Sequence, residues 1–339
     1  KPSLSSVFLA TGIVGSALYA IFEALIRPLV TWDGWAAWMI KSKAFFMDKG
    51  VTESALIYIQ SDGPLIVSLL GSFIYLMIGS VDDTAVLLTS SAYYVFLVVL
   101  FYGAMRDRSS VRSALFFAFL LATVQVLIRQ GGRLEAGQAD LPLGYYIFSS
   151  TILALEYLRS NSGKVLALLA VFLAFTSLTK FEGDPFVLVI LSILLYHIYK
   201  KKLYNHLFLF LFWAIPVIDW QIYKRSLSLE TIYLEGHGLV FSVGKVLNAL
   251  SGTLKALLNI KSWNLLWITY FYSLFLFFPK KNSELIVLHI VVLSQLGLYL
   301  ILYFFTLGNG PASSVERLLV HLAPVALLAV SISTKKIFR

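Results

Sequence analysis

Residues 285–307, LIVLHIVVLSQLGLYLILYFFTL, form an apolar run that contains no Asp, Glu, Lys or Arg. A helix that crosses the hydrocarbon core of a bilayer needs roughly 20 mainly apolar residues. This run therefore predicts a membrane-spanning helix, and comparable runs recur along the chain. Together they predict about ten spans, over residues 4–26, 84–105, 113–128, 141–158, 165–178, 185–199, 207–222, 263–278, 285–307 and 315–332.

The composition agrees with a protein whose solvent is largely lipid. Hydrophobic residues make up 59% of the 339 residues and charged residues only 13%, and the mean hydropathy is +0.82. A soluble domain has roughly 45–50% apolar and about 25% charged residues. No polar stretch is long enough for a second domain, so we expect one all-α polytopic domain over residues 1–339. The absence of cysteine excludes disulfides and thiolate metal sites.

The net charge of +9 is explained by membrane topology rather than by a nucleic-acid partner. Most basic residues lie in short clusters between spans, which is typical of cytoplasmic loops. These clusters are Arg106/Arg108/Arg112, Arg159/Lys164, Lys200/Lys201/Lys202, Lys280/Lys281 and Lys335/Lys336/Arg339. Most acidic residues fall in the opposite set of loops. The pattern predicts an integral, multi-pass protein of the cytoplasmic (plasma) membrane, with its chemistry on the extracytoplasmic side.

The first outer loop, residues 27–83, is predicted to carry two juxtamembrane helices. In residues 33–46, one apolar face is formed at helical spacing by Trp35, Trp38, Met39, Phe45 and Phe46. Lys41 is expected to point away from that face, so the helix should lie on the membrane surface. Residues 65–78 are too short to span and predict a second such helix.

Asp33 stands immediately before the first of these helices. It is either an N-cap that accepts a hydrogen bond from an early backbone N–H, or a carboxylate that serves as a general base. Spacing alone leaves both interpretations open.

The second outer turn, residues 129–143, offers another acidic pair. Glu135 and Asp140 lie near Arg129 and Arg133 in the sequence. The structural alternative for Asp140, with Pro142 just after it, is the start of a helix.

Three charges crowd the connector at Lys180, Glu182 and Asp184. Charge at a membrane boundary is costly and usually finds a partner, which favours a polar substrate cavity. A tight solvated turn with a Lys180 ion pair explains the same pattern.

Two later segments complete the predicted substrate cavity. The second large outer loop, residues 224–262, carries Glu230, Glu235 and His237 and could cover a substrate. Arg317 and His321 are four residues apart, so they share a helix face. The forked charge of Arg suits phosphate, although snorkelling to the interface is the alternative. The histidines show no close metal-ligand spacing, so no cofactor is assigned and a divalent metal stays an open alternative.

Taken in order, these motifs resemble the GT-C superfamily of membrane glycosyltransferases, which includes protein O-mannosyltransferases, aminoarabinose transferases and oligosaccharyltransferase subunits. The resemblance covers most of the chain. It is carried by Trp32-Asp33-Gly34-Trp35, by Gly63-Pro64, by ADLPL at residues 139–143, by TKFEG at residues 179–183 and by RLLVHLAP at residues 317–324. The first-loop Asp lacks the neighbouring acid of O-mannosyltransferases, which leaves the acceptor and the metal requirement open.

The resemblance implies a donor in which a sugar is carried on a polyprenyl phosphate, embedded among membrane lipids. Asp33 would be the general base, and Glu135 or Asp140 would belong to a second acidic motif. The donor phosphate would be bound by Arg317, Lys41, Lys43 and Arg133.

We therefore predict an enzyme that transfers a sugar directly, with inversion, to a hydroxyl of a glycan, lipid or protein acceptor. One carboxylate takes the proton and fixed cations stabilise the leaving phosphate. A lipid-linked-sugar flippase is the main rival, and it would translocate the donor without transfer. The second rival function is that of a glycan ligase or polymerase, which would prefer a donor that carries an oligosaccharide.

Overall fold

The computed structural model describes residues 3–57, 62–229, 242–277, 283–305 and 311–334. The described residues contain helices and connectors and no β-strand, which confirms the predicted all-α class. The helices, numbered in chain order, are α1 Leu4–Ile26, α2 Ile40–Met47, α3 Ile66–Ile78, α4 Asp83–Arg106, α5 Val111–Ala122, α6 Gln125–Gly132, α7 Asp140–Ser160, α8 Gly163–Ser177, α9 Gly183–Lys201, α10 Leu211–Ser226, α11 Val243–Leu257, α12 Ile260–Trp263, α13 Leu266–Leu276, α14 Ser283–Phe305, α15 Pro311–Val320 and α16 Ala323–Thr334.

Five of the described helices are long and apolar enough to cross a membrane, and two bent helix pairs bring the number to seven. The five are α1, α4, α9, α14 and the continuous segment Tyr204–Ser226, in which a 3-10 turn leads into α10. Shorter apolar helices, among them α8 and α13, do not reach that length. The chain is thus a multi-pass bundle, and the expected number of about ten spans is not confirmed.

Two of the predicted spans are broken in the middle. Residues 113–128 fall on α5 and α6, whose axes differ by 66°, and residues 315–332 fall on α15 and α16, whose axes differ by 56°. Pro324 explains the second break, because it has no N–H to donate to the carbonyl of Val320. At the first break the freed carbonyl of Ala122 accepts a hydrogen bond of 2.5 Å from the Tyr94 hydroxyl, as backbone in a membrane protein requires.

The first outer loop contains the two predicted short helices, and the polar side of the first one is buried within the protein. A π-helical segment, Gly34–Met39, leads into α2, which packs against α3. The hydroxyls of Ser42 and Ser68 both donate to the carbonyl of Trp38, at 3.0 Å each. Lys41 is 0% exposed, so the side of this helix away from the predicted apolar face is buried as well. Tertiary packing explains this burial, because the first outer loop folds over the helix and covers its polar side too.

The helices α4, α7 and α9 run between two ends of the bundle that differ in charge. Each begins in a connector that carries acids, at Asp83, Asp140 and Gly183, and each finishes near a basic cluster. We call these the acidic end and the basic end. Arg108, just after α4, forms an ion pair with Glu284 at the start of α14, which places the start of α14 at the basic end.

Candidate active site

Asp140, the first residue of α7, is the centre of the acidic end. Its side chain is 0% exposed and accepts hydrogen bonds from three side chains. Lys180 Nζ lies 2.7 Å from Oδ1, Arg317 Nε and Nη2 lie 3.0 and 2.8 Å from Oδ2, and His321 Nε2 lies 3.2 Å from Oδ1. It makes no N-cap hydrogen bond to its own helix, so capping does not explain it. A carboxylate buried this deeply is tolerated only with such partners.

Lys180 joins this carboxylate to the connector between α8 and α9. Its ammonium also lies 2.9 Å from Glu182 Oε1. Burial alone would lower the pKa of Lys180, but the charges of Asp140 and Glu182 outweigh burial and raise that pKa. The connector is fixed from the other side by Gln295, whose Nε2 donates to the carbonyl of Glu182 at 2.7 Å. Lys180 is therefore a permanent cation held between two acids.

Asp33 meets the same cluster through Arg317. Arg317 Nη2 lies 2.5 Å from Asp33 Oδ2, and the Asp33 side chain keeps 29% of its surface exposed. Asp33 has helical backbone angles and makes no side-chain hydrogen bond to a backbone N–H. The N-cap interpretation of Asp33 is thus wrong. The backbone after it packs tightly, since a Cβ on Gly34 would stand 2.2 Å from Thr31 Oγ1.

Arg317 lies on α15 and His321 in the break after it, and they contact different oxygens of Asp140. Because an ionised Asp140 can only accept, His321 must donate from Nε2 and accept at Nδ1. The Tyr299 hydroxyl supplies that donor, 2.7 Å from Nδ1. Gln295 Nε2 in turn donates to Tyr299 at 3.1 Å. A neutral imidazole with one defined tautomer follows from this chain of hydrogen bonds.

Glu135 and Arg133 lie in a neighbouring set of ion pairs. Glu135 accepts a hydrogen bond from Arg129, and Arg129 Nη1 lies 3.9 Å from Glu316 Oε2. Arg133 Nε lies 3.9 Å from Glu23 Oε2, at the end of α1. These pairs join α1, α6 and α15 side by side, and none of them includes Asp140.

Lys43 is also engaged outside the central cluster. Its ammonium lies 2.8 Å from Asp83 Oδ2, and Asp83 Oδ1 accepts a hydrogen bond of 2.7 Å from the Tyr75 hydroxyl. These contacts tie α2 to the start of α4. They leave both Lys43 and Asp83 more than one-third exposed.

Lys41 and Asp184 belong to a second buried polar group, together with Asp62 and Lys224. Burial lowers the pKa of Lys41 to about 8, and the charge of Asp62 opposes that shift. Burial likewise raises the pKa of Asp62, which is 2% exposed. The ammonium of Lys224 lies over the ring of Phe181, 5.8 Å from its centre. This group lies between the first loop, the α8–α9 connector and the end of α10.

The structure thus brings Asp33, Asp140, Lys180, Glu182, Arg317 and His321 together out of the residues that the sequence indicated. His237, Glu230 and Glu235 lie outside the described residues. Sequence reasoning missed Gln295 and Tyr299. The sequence did contain an indication of them: they are polar residues four positions apart inside a predicted span, where polar groups usually have a function or a partner.

Comparison with known proteins agrees with this architecture. The family described as dolichyl-phosphate-mannose-protein mannosyltransferase matches residues 62–220. ArnT from Cupriavidus metallidurans bound to undecaprenyl phosphate superimposes with a TM-score of 0.71 at 12% identity, over 98% of this chain and 60% of that chain. In its apo state ArnT gives a TM-score of 0.70 at 13% identity, over 96% of this chain and 60% of that chain. No curated protein matches the sequence.

A more distant likeness is to the Archaeoglobus fulgidus oligosaccharyltransferase in complex with Zn and sulfate. Its TM-score is 0.56 at 14% identity, over 96% of this chain and 49% of that chain. The expected resemblance to the GT-C superfamily is confirmed, and the chain has an ArnT-like GT-C fold. It spans about 60% of the length of the ArnT chains that it matches.

Proposed function

We propose that this protein is a membrane glycosyltransferase that moves a sugar from a polyprenyl phosphate to an acceptor hydroxyl on the extracytoplasmic face. Asp33 is the general base. The observation that carries the proposal is a single guanidinium, Arg317, bonded at 2.5 Å to the partly exposed Asp33 and at 2.8 Å to the buried Asp140.

The two carboxylates have different tasks because their surroundings differ. Asp140 is fully buried and both of its oxygens are occupied by donors, so it cannot reach an acceptor. Its task is to position Lys180, Arg317 and His321. Asp33 Oδ1 makes no hydrogen bond within the described part of the chain, and Asp33 is in part exposed. It can therefore take a proton from a hydroxyl placed beside it.

Arg317 is the group that meets the leaving phosphate. Its Nε and Nη2 are held by the two carboxylates, whereas its Nη1 makes no hydrogen bond among the described residues. A guanidinium keeps its charge at every physiological pH and donates two N–H bonds to phosphate oxygens. It is already oriented before the substrate arrives, which is the condition for strong electrostatic stabilisation.

The reaction step then balances without a covalent enzyme intermediate. The acceptor oxygen forms a bond to the anomeric carbon as the bond from that carbon to the phosphate oxygen breaks. The acceptor proton passes to Asp33, and the polyprenyl phosphate leaves with the bonding electrons. Attack on the face opposite the leaving group inverts the anomeric centre.

The comparisons support the donor class and leave the acceptor open among glycan, lipid and protein hydroxyls. One matching structure is that of ArnT bound to undecaprenyl phosphate, and another is an archaeal oligosaccharyltransferase in complex with a dolichol-phosphate. The basic end of the bundle supports a cytoplasmic location for that end, and hence an extracytoplasmic active site.

No step is routed through a metal ion. Within the described ranges, no three His, Asp or Glu side chains are close enough to hold one. The oxygens of Asp140, the most buried acid of the cluster, are already taken by Lys180 and Arg317. The described residues of the site therefore do not fit a bound divalent cation.

The decisive experiment is Asp33→Asn in membranes supplied with polyprenyl-phosphate sugars, with release of sugar from the lipid as the readout. We expect transfer to fall by about 10²- to 10⁴-fold, the usual contribution of a general base. The matched control is Asp48→Asn, which changes an acid of the same loop whose carboxylate, among the described residues, bonds only to Thr52 and Ser54. It should transfer at the wild-type rate.

Other outcomes decide against the proposal in different ways. Equal transfer by wild type and Asp33→Asn, with both proteins inserted and folded, would remove Asp33 as the base. A wild type that carries lipid-linked sugar across vesicle membranes without transferring it would make the chain a flippase. Preference for an oligosaccharide donor over a single sugar would favour a ligase or polymerase.

A further inference from the structure

A cavity of about 940 Å³ opens at the basic end, away from the residues of the proposed active site. Its volume lies within the range of roughly 300–1,000 Å³ that small-molecule sites occupy. The apolar part of its wall is contributed by α7 through Ile152, Leu153, Leu155 and Leu158. Among the described residues, its charged part consists of Asp107, Arg108, Glu156, Arg159 and Glu284.

The position of the cavity along the bundle is set by α7. That helix begins at Asp140 in the active site, and Glu156 lies sixteen residues further on. At 1.5 Å per residue these two residues are about 24 Å apart along the helix axis. The hydrocarbon core of a bilayer is roughly 30 Å thick. This separation covers most of that thickness, so the cavity lies in the half of the bundle opposite the active site, which borders the other leaflet.

The charged wall formed by the described residues is balanced rather than basic. Arg108 donates to Glu284 and, at 2.8 Å, to the carbonyl of Ala104. Arg159 Nη2 lies 2.6 Å from Glu156 Oε2. Asp107 makes no ion pair in the described part of the chain, so the lining has one acid more than it has arginines.

This distribution of charge distinguishes between classes of lipid. A headgroup with only negative charge would meet two arginines but also three acids. A zwitterionic headgroup can place its phosphate at the arginines and its ammonium at Asp107 and Glu156. One acyl chain can then lie along the leucines of α7, where it removes apolar surface from water.

We propose that this cavity binds one zwitterionic phospholipid from the leaflet opposite the active site. The phosphate bonds to Arg159 and Arg108, the ammonium lies between Asp107 and Glu156, and an acyl chain packs against Ile152, Leu153 and Leu155. The bound lipid links the ends of α4, α7, α9 and α14. The site is independent of the donor site and does not rest on the proposed transferase activity.

The test uses the full chain, purified in mild detergent, and phosphatidylethanolamine as the probe in a native mass-spectrometry titration. We expect one tightly retained lipid. The double variant Glu156→Gln/Arg159→Gln should weaken retention at least fivefold. The unmutated pair is an exposed i,i+3 pair, and such pairs contribute little to stability, so its loss should leave the fold intact.

Two further variants make the result specific. Leu153→Trp fills the apolar wall and should also reduce retention, whereas Arg112→Gln changes an exposed arginine of the same end that does not line the cavity and should not. Melting temperatures comparable to that of the wild type, measured without added lipid, show that the variants fold. If Leu153→Trp does not fold, lipid retention by the Glu156→Gln/Arg159→Gln variant alone tests the proposal.

Three outcomes would overturn the proposal. They are no retained phosphatidylethanolamine, equal retention by all variants, and retention of phosphatidylglycerol as strong as that of phosphatidylethanolamine.

Discussion

Arg317 Nη2 lies 2.5 Å from Asp33 Oδ2, although 284 positions separate the two residues in the chain. The contact joins the first outer loop to α15. It also places a partly exposed carboxylate beside a cation that cannot lose its charge.

Arg317→Lys should reduce kcat by about 10- to 100-fold, because one ammonium cannot bond to both carboxylates and to a phosphate as the guanidinium fork does. KM for the lipid donor should rise less, since the charge is kept. Steady-state kinetics with a polyprenyl-phosphate sugar measure both. The control is Arg129→Lys, which changes an arginine paired with Glu135. Equal losses in the two variants would mean that the Arg317 geometry has no special role.

Asp140→Asn should lower the free energy of unfolding by about 3–5 kcal/mol, because it leaves buried cations without a counter-charge. Asp83→Asn is the control, since Asp83 also pairs with a lysine but is 36% exposed. That change should cost no more than about 1 kcal/mol. Denaturation followed by tryptophan fluorescence reports both. Adding Lys180→Met to Asp140→Asn should recover part of the lost free energy of unfolding. If the effects of the two substitutions on that free energy simply add, Asp140 and Lys180 are not energetically coupled.

Tyr299→Phe removes the donor that fixes the tautomer of His321. We expect a loss of about 1–3 kcal/mol in the free energy of unfolding, the cost of a buried polar group left unpaired. The rate of sugar transfer should fall as well, because His321 can then carry its proton on Nδ1 and no longer donate to Asp140. Tyr303→Phe, whose hydroxyl donates to Ser314 at 2.8 Å, is the comparison. Wild-type transfer by Tyr299→Phe would exclude a positioning role for the hydroxyl.

Lys41 gives the protein a pH dependence with a defined sign. Its pKa is about 8 in the folded protein, against an ordinary value of 10.5. Between these values the unfolded chain binds more protons, so the free energy of unfolding rises with pH. The full rise corresponds to about 3 kcal/mol. Lys41→Met should abolish this rise and stabilise the protein below pH 8, whereas Lys164→Met should keep it. Thermal unfolding at pH 7 and pH 10 is the measurement.

Gly132→Ala should destabilise the packing of α6 on α1. A Cβ at this position would stand 1.8 Å from the carbonyl oxygen of Ala20, and backbone cannot yield as a flexible side chain does. Overpacking of this kind costs typically 1–3 kcal/mol or more. Gly15→Ala is the matched control, since a Cβ there has no neighbour within 4 Å, and it should stabilise α1 by up to about 1 kcal/mol. Similar melting temperatures for the two variants would contradict the close contact.

The elements that the sequence predicted well are those with long uninterrupted apolar runs. Residues 4–26 coincide with α1, and residues 84–105 lie within α4. The segment 65–78 was correctly predicted as a short helix, and it begins one residue later as α3. Apolar length is a property of the chain itself and needs no knowledge of what packs against it.

Apolar length did not predict that two of the spans are broken. Residues 315–332 were predicted as one span, although Pro324 accounts for the break between α15 and α16; the run 113–128 contains no proline or glycine and still bends by 66°. That bend depends on Tyr94, a residue of α4 that satisfies the freed carbonyl of Ala122. The sequence around residues 113–128 does not reveal this contact with α4.

The sequence alone determined that this chain is a membrane-embedded helical bundle with its acids at one end, and it placed Asp33, Asp140, Lys180 and Arg317 among the residues of the site. The tertiary structure decided their surroundings. It buried Asp140 among donors, left Asp33 in part exposed, and turned Glu135, Arg133 and Lys43 to other partners. The physical reason is that hydropathy is a property of each residue in the sequence. The pairing and protonation of a charged group depend instead on which distant residues lie beside it in a desolvated site.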